Sequence, residues 1–450
     1  MKSAPRKAGK RPAVREKRIS NIVRPSDLTS KEWQVALRRQ AAQKENLIVR
    51  QPADEGRYGV YEVSNPLSRS VYKVVYRGLA SKWNFCSCPD FKTNQLGTCK
   101  HIEAVKIWRT DHRKGRLGDL PPYSSLYLTY SECRTVRIRI GSVRRASMRL
   151  LASEYFSADG VALLGKVAEL EGFIIRAKEL DPDFRCYPDV LDYISETKDS
   201  DYRKGFLSKL TDKDLDGLLK TSLYPYQKEG IRFAFGKGKS IIADEMGLGK
   251  TVQAIGAAEL LRKAGLVSSV LIICPTSLKY QWQKEIEKFT DSSALVIEGD
   301  PVKRAQMYKS DVFYKIVSYH AMNRDVRLKG EMFAECVIMD EVQRLKNWNT
   351  QIARSARHIH SDYSIVLSGT PLENKLEDLY SVMQLVDQYC LGPYYKFVEE
   401  TTVRDDTGKV LSYRNLNMVS RRSAPASYAA ARRMSRFRCR HAPTNCFSCP

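Results

Sequence analysis

Ser240-Ile-Ile-Ala-Asp-Glu-Met-Gly-Leu-Gly-Lys-Thr251 is the stretch that decides how this chain is read. An apolar run passes directly into a glycine-rich loop that ends in a lysine and a hydroxyl residue. Glycines at 247 and 249 let backbone N–H groups approach an anion, Lys250 supplies a point charge for β- and γ-phosphates, and the Thr251 hydroxyl is placed to ligate Mg²⁺ at a helix N-terminus. Val252, Ile255, Leu260 and Leu261 recur near helical spacing, and Gly265 closes the helix they predict. The strict form of such a loop begins with glycine six places before its lysine, where this chain has Asp244.

About 90 residues further on, Cys336-Val-Ile-Met-Asp-Glu-Val-Gln343 reads as an apolar strand ending in two carboxylates. Alone it is equally a strand that runs into a solvated acidic turn. Following a phosphate loop, it predicts Asp340 on Mg²⁺ and Glu341 orienting an attacking water, with both strands side by side.

Further motifs keep the same order: Leu223-Tyr-Pro-Tyr-Gln-Lys-Glu-Gly230 before the loop, then Cys274-Pro-Thr-Ser-Leu278 with Trp282, and Leu367-Ser-Gly-Thr-Pro-Leu-Glu-Asn374 after the acidic pair. Over roughly residues 216–420 the chain resembles the Swi/Snf-type branch of the superfamily-two helicase-like ATPases, whose loop has the Asp244 variant. The resemblance implies a RecA-like, doubly wound parallel sheet, ATP and Mg²⁺ as cofactors, and duplex or branched DNA as partner. It implies that Gln227 reads adenine, that residues 244–251 (Asp244, Glu245, Met246, Gly247, Leu248, Gly249, Lys250, Thr251) hold the nucleotide, and that Lys250, Asp340 and Glu341 are catalytic. Pro275 and Thr276 then touch the nucleic-acid backbone, and Ser368 to Thr370 couple nucleotide state to DNA contact. Tyr224 stands where the family often has arginine.

Upstream, Cys86-Ser-Cys88 and Cys99-Lys-His101 offer three thiolates and an imidazole, a donor set for one tetrahedral, structural zinc. The alternative is three small buried thiols and a core histidine. The pattern resembles the SWIM zinc finger, with an unidentified protein as a possible partner. The remaining cysteines up to Cys390 are scattered singly among apolar residues, which suits a reducing compartment and no disulfide framework.

The formal net charge of +24 fits a phosphate-backbone binder. Residues 1–50 carry fourteen Lys or Arg against four acids and read as a basic, largely disordered tail, either a DNA tether or a solvated end. No apolar run approaches membrane-spanning length. The zinc module is expected at 51–115 and an accessory region at 116–215. Within the latter, 135–140 alternates like a strand and 161–179 has helical spacing. The ATP-binding lobe is expected at 216–395, with strands at 240–243, 270–274, 314–318, 336–339 and 364–367. Residues 396–420 would begin a bridge to a second lobe.

Residues 421–450 contain seven Arg and no Lys, Asp or Glu. The expectation is that the chain beyond about 422 is out of frame, a truncation after the first lobe or a sequence error. Cys439, His441, Cys446 and Cys449 are then left out of the metal site. The function expected is a DNA-dependent ATP hydrolase that tracks along duplex DNA or remodels what is bound to it. The alternative is a non-enzymatic module that binds ATP and DNA or a protein without a second lobe. The compartment expected is the cytoplasm, on the nucleoid if the source is bacterial.

Overall fold

The computed structural model describes residues 18–53, 59–68, 70–79, 81, 84–112, 121–130, 134–244, 247–330, 332–345, 350–369, 376–405 and 410–428. The expectations placed on Glu245, Met246, Thr370, the first 17 residues and the cysteines and histidine beyond 428 lie outside these. Two compact units divide the chain, Met1–Asp119 and Leu120–Pro450. Among the described residues no helix is long and apolar enough to cross a membrane.

The first unit opens with helix α1 (Ser30–Lys44) and strand β1 (Ile48–Arg50), in a segment expected to belong to the disordered tail. A capping box starts the helix. The Thr29 hydroxyl accepts from the Glu32 N–H at 3.3 Å, and the Glu32 carboxylate accepts from the Thr29 N–H at 2.9 Å. α1 packs on α3 (Lys100–Asp111), so tertiary contact outweighs its basic composition. Strands β1, β2 (Val60–Asn65), β3 (Ser70–Val75) and β4 (Phe85–Cys86) form an antiparallel sheet in that order. Short α2 (Pro89–Asn94) lies between β4 and α3 in the chain. Tyr61, Val63, Val74, Ile102 and Val105 fill the core beside the three cysteines.

The second unit begins with antiparallel β5 (Ser125–Tyr130) and β6 (Arg134–Arg139), helices α4 (Arg145–Ser153) and α5 (Leu170–Leu180), and β7 (Arg185–Cys186), which joins β5 in parallel. The helix expected from 161 starts only at Leu170. Val161 and Ala162 instead make bridges to Arg137 and Phe156, and Gly165 adopts φ +81°. The long α6 (Pro188–Lys209) then ties this subdomain to the remainder of the unit. Buried Arg203 pairs with Asp199 and donates to the Gly236 carbonyl, while the Tyr363 hydroxyl donates to Asp199 at 2.6 Å.

After α7 (Asp212–Asp216), strands and helices alternate. They run α8 (Pro225–Lys237), β8 (Lys239–Ile242), α9 (Lys250–Lys263), β9 (Val270–Cys274), α10 (Lys279–Phe289), β10 (Ala294–Val296), α11 (Pro301–Tyr308), β11 (Tyr314–Ser318), α12 (Tyr319–Lys329), β12 (Met332–Met339), α13 (Gln351–Ala356) and β13 (Ile359–Leu367). Next come α14 (Leu376–Met383), α15 (Tyr394–Thr401), the hairpin β14 (Thr402–Arg404) with β15 (Val410–Tyr413), α16 (Leu416–Ser423) and β16 (Ser427–Tyr428). One seven-stranded sheet results, in the order β10-β11-β9-β12-β13-β8-β16, and every pairing is parallel.

Both faces of this sheet are covered. Ile272, Ile316, Ile338 and Ile365 point to a layer with α8, α9 and α10, whereas Leu271, Ile273, Val337, Met339 and Val366 point to one with α12 and α14. That two-sided burial explains why the strands read as unbroken apolar runs. The fold is the RecA-like, doubly wound α/β sheet expected, and the five expected strands are present. β10 and β16 are additional.

One buried ion pair pins α11 to α12. Arg304 and Asp325 are each about 5% exposed or less; both Asp325 oxygens accept from the Arg304 Nε at 3.0 Å, and the Tyr308 hydroxyl adds a further bond at 3.0 Å. Asp325→Ala strands a buried guanidinium and is expected to lower unfolding free energy by roughly 3–5 kcal/mol in urea titration. Replacing both partners with leucine should cost clearly less. Equal losses would show that packing, not the stranded charge, sets the effect.

Candidate nucleotide site and metal centre

β8 ends at Ile242, and the chain turns through Gly247 (φ +86°) and Gly249 (φ +71°) into α9 at Lys250. α9 has no side-chain cap and no acid in its first turn, so its leading N–H groups face the loop. The Lys250 ammonium donates to the Asp244 carbonyl at 3.1 Å, across the loop. Thr251 follows it in the first turn, half-buried. The Asp244 departure from glycine has a use here: its buried carboxylate accepts from Gln253 Nε2 at 2.8 Å and ties the loop to α9.

Gln227 sits in the first turn of α8, 6% exposed. Its Oε1 accepts from the Tyr224 N–H at 3.1 Å, and its Nε2 points to the Leu248 carbonyl at 3.5 Å. The amide thus lies against the phosphate loop. A Cβ on residue 249 would stand 2.5 Å from Gln227 Nε2 and push that amide aside, and the positive φ itself favours glycine here. Tyr224 is largely exposed and its ring stacks with Tyr226, centroids 5.7 Å apart.

Asp340 follows β12, 9% exposed. Its Oδ2 accepts from Trp282 Nε1 at 2.9 Å and its Oδ1 from the Glu341 N–H at 2.8 Å; its own backbone carbonyl accepts from the Tyr319 hydroxyl at 2.7 Å. Burial raises its pKa above the ordinary carboxylate value; the Trp282 hydrogen bond and the nearby Lys250 charge pull the other way. Each oxygen therefore carries one hydrogen bond and keeps lone pairs for a cation. Glu341 adopts φ +50°, a left-handed conformation that a non-glycine residue enters at a cost of about 1–2 kcal/mol. Gln343 donates from Nε2 to the Glu341 carboxylate and accepts on Oε1 from the Ser368 hydroxyl at 3.2 Å. The acidic pair and the Ser-Gly motif are joined through one amide side chain. Beyond β9, Pro275 is buried while Thr276 and Ser277 are exposed.

The structure brings Lys250, Asp340 and Glu341 to the carboxyl edge of one sheet, where Lys250 lies close enough to act on Asp340 electrostatically. Sequence reasoning assigned no part to Trp282, Gln343 or Gln253, which orient these groups. Trp282 and Gln343 both lie inside motifs visible in the sequence, whereas Gln253 carries no pattern of its own.

In the first unit, the ligand atoms of Cys86, Cys88, Cys99 and His101 all lie within 4.8 Å of one another, and all four residues are buried. His101 Nδ1 is 3.8 Å from the Cys86 sulfur and 3.9 Å from that of Cys99. Cys88 caps α2, its sulfur accepting from the Phe91 N–H at 3.3 Å, and Cys99 sits at the N-cap of α3. Hydrogen bonds from Cys86 and Cys99 hold the Cys88 thiol far below its usual range, while burial pushes Cys86 and Cys99 well up. A tetrahedral zinc with bonds of about 2.0–2.3 Å spans ligand separations of roughly this size, so the four groups fit the metal.

Residues 226–423 match the SNF2-related domain. Similar proteins include an uncharacterized ATP-dependent helicase of Mycoplasma pneumoniae, 36% identical over 214 residues, covering 45% of this chain and 21% of that protein. Chromodomain-helicase-DNA-binding protein 8 of Danio rerio is 29% identical over 198 residues, covering 40% of this chain and 8% of that one. Among solved structures, the Sulfolobus solfataricus SWI2/SNF2 ATPase core in complex with dsDNA is 30% identical, with a TM-score of 0.41 over 47% of this chain and 45% of that one. The chain thus spans about a fifth or less of the length of these two relatives. The matched stretch runs from the first turn of α8 to the end of α16, so the parallel-sheet lobe is the part of the chain that is similar to an SNF2-related domain.

Proposed function

We propose that this chain carries the ATP-binding lobe of an ATP-dependent DNA translocase or remodelling ATPase. The observation that supports it most is the convergence of three parallel strand ends, β8, β13 and β12, which bear Lys250, Ser368 and the Asp340-Glu341 pair. In this reading the α9 N-terminus and Lys250 take the β- and γ-phosphates, and Gln227, beside the loop, meets adenine. Asp340 and Thr251 hold Mg²⁺, which when bound neutralises developing phosphate charge. Glu341 orients the attacking water. Gln343 carries a change at Glu341 to Ser368. Exposed Thr276 and Ser277 meet the DNA backbone, and the net charge of +24 favours that partner. The relatives described as ATP-dependent or DNA-binding helicases point the same way.

The Cys86, Cys88, Cys99, His101 cluster is proposed to hold zinc. All four positions are filled by protein, so its part is to fold the first unit.

The direct test is ATP hydrolysis with and without duplex DNA, beside Lys250→Ala. DNA-stimulated turnover should fall by two orders of magnitude or more in the variant, roughly 3 kcal/mol of transition-state stabilisation. Failure of the unsubstituted chain to bind ATP at all would sink the proposal.

Asp340→Asn should abolish turnover and also separate function from stability. A carboxyl whose pKa is raised on folding costs stability once ionised, so the penalty is present above its folded pKa and vanishes below its unfolded value near 4. The amide must face one of the two N–H donors with its own NH₂, a cost that does not change with pH. Without Mg²⁺ the melting temperature of the variant relative to the parent should therefore rise as pH goes from about 4 to 8, and a difference independent of pH would contradict the raised pKa.

The purified chain should contain one equivalent of zinc. Chelation or Cys99→Ser should open residues 59–112 to proteolysis, at a cost on the order of 10 kcal/mol, with ATP binding retained. Unchanged protection after zinc removal would mean the thiols are simply core residues.

A further inference from the structure

Between residues 134 and 153 the chain has six arginines and no lysine, aspartate or glutamate. The structure divides them into two groups. Arg134 pairs with Glu196 at 2.8 Å and its guanidinium lies over the rings of Tyr193 and Tyr389. Arg139 is 4% exposed and lies over the ring of Tyr127, and Arg137 is half-buried beside the same tyrosine. These strand arginines belong to packing.

Arg144, Arg145 and Arg149 do not. All three are exposed at the start and along the outer side of α4, whose inner side buries Met148, Leu151 and Ala152. Arg145 and Arg149 stand one turn apart on the same ridge. Among the described residues none of the three side chains has a hydrogen-bond or ion-pair partner. The nearest acid in sequence, Glu154, is already held by Arg176 through bonds of 2.7 and 3.1 Å. Two other cations of this subdomain do have partners, Lys166 with Glu169 and Lys198 with Glu171. A soluble surface ordinarily intersperses charges of both signs. Here positive charge is gathered on one helix without local compensation, beside exposed Val143 and Leu150.

We infer that the α4 ridge formed by Arg144, Arg145 and Arg149 binds the phosphate backbone of duplex DNA, a contact outside the ATP-binding lobe. The inference rests on the DNA-dependent reading of the lobe. Guanidinium groups suit the role because each presents a planar fork of donors to phosphate oxygens. Such contacts carry no base information; they fix the position of the accessory subdomain on the duplex.

The test is duplex-DNA affinity of the full chain, by fluorescence anisotropy across roughly 50 to 200 mM salt. The unsubstituted chain is compared with the triple variant Arg144→Ala, Arg145→Ala, Arg149→Ala and with the corresponding triple lysine variant. The alanine variant should bind about tenfold or more weakly at low salt, and the slope of log K against log salt should shrink by roughly 2 to 3, about 0.9 for each lost phosphate contact. The lysine variant should recover most of both, and ATP affinity should be equal in all three. A wild-type affinity and slope in the alanine variant would overturn the inference, as would weaker binding with an unchanged slope. Loss of binding to an acidic peptide with DNA affinity intact would assign the ridge to an acidic protein instead. If the unsubstituted chain bound no duplex, the DNA reading of the lobe would fail with it.

Discussion

Everything at the candidate site depends on β13, which pairs in parallel with β12 along one side and with β8 along the other. Neighbouring strands lie about 4.8 Å apart, so one intervening strand sets the ends of β8 and β12 roughly 10 Å from each other. Parallel pairing puts all three carboxyl ends on one edge. The loop after β8, the serine after β13 and the acid pair after β12 then face a common space of about the width of a polyphosphate. An antiparallel strand in the middle would send Ser368 to the opposite edge and leave Gln343 without its partner.

That edge is built from groups that would rather be elsewhere. Asp340 is a carboxylate held out of water, Glu341 has a backbone conformation that suits glycine, and Gly249 is crowded by Gln227. What tolerates them is the rest of the lobe. Two apolar layers, one on each face of the sheet, position strands rigidly enough that their ends need not be comfortable. Trp282 expresses the exchange in one residue: its ring is buried in the layer beneath, and its N–H restrains the acid above.

The strands at 240–243, 270–274, 314–318, 336–339 and 364–367 were legible because burial on both faces demands unbroken apolar runs. The phosphate loop was legible because its glycines and lysine have fixed spacing. β10 has only three residues, and β16 only two, too few for any pattern to register. α1 is hidden by basic composition, although Thr29 and Glu32 spell out a capping box, a local hydrogen-bond signal that charge content does not register. The helix expected at 161–179 failed at its front half, where Val161 and Ala162 found strand partners across the chain. At the site, Lys250, Asp340 and Glu341 could be named from sequence. The residues that orient them could not, because Gln343 links Glu341 to Ser368 across strands that only the sheet order brings together, and Gln253 acts through one hydrogen bond to Asp244.

The same strand order has a consequence for synthesis. β8 is made early, yet its neighbour β13 ends at Leu367, about 125 residues later, and β16 on its far side only at Tyr428. At ribosomal rates of about 5–20 residues per second, β8 waits roughly 6–25 seconds with both edges open. During that interval Ile241 and Ile242 form an unpaired apolar ribbon, the kind of segment that recruits other chains. The arrangement that converges the strand ends therefore also leaves the strand beneath the phosphate loop without either neighbour for most of the time the lobe is being made.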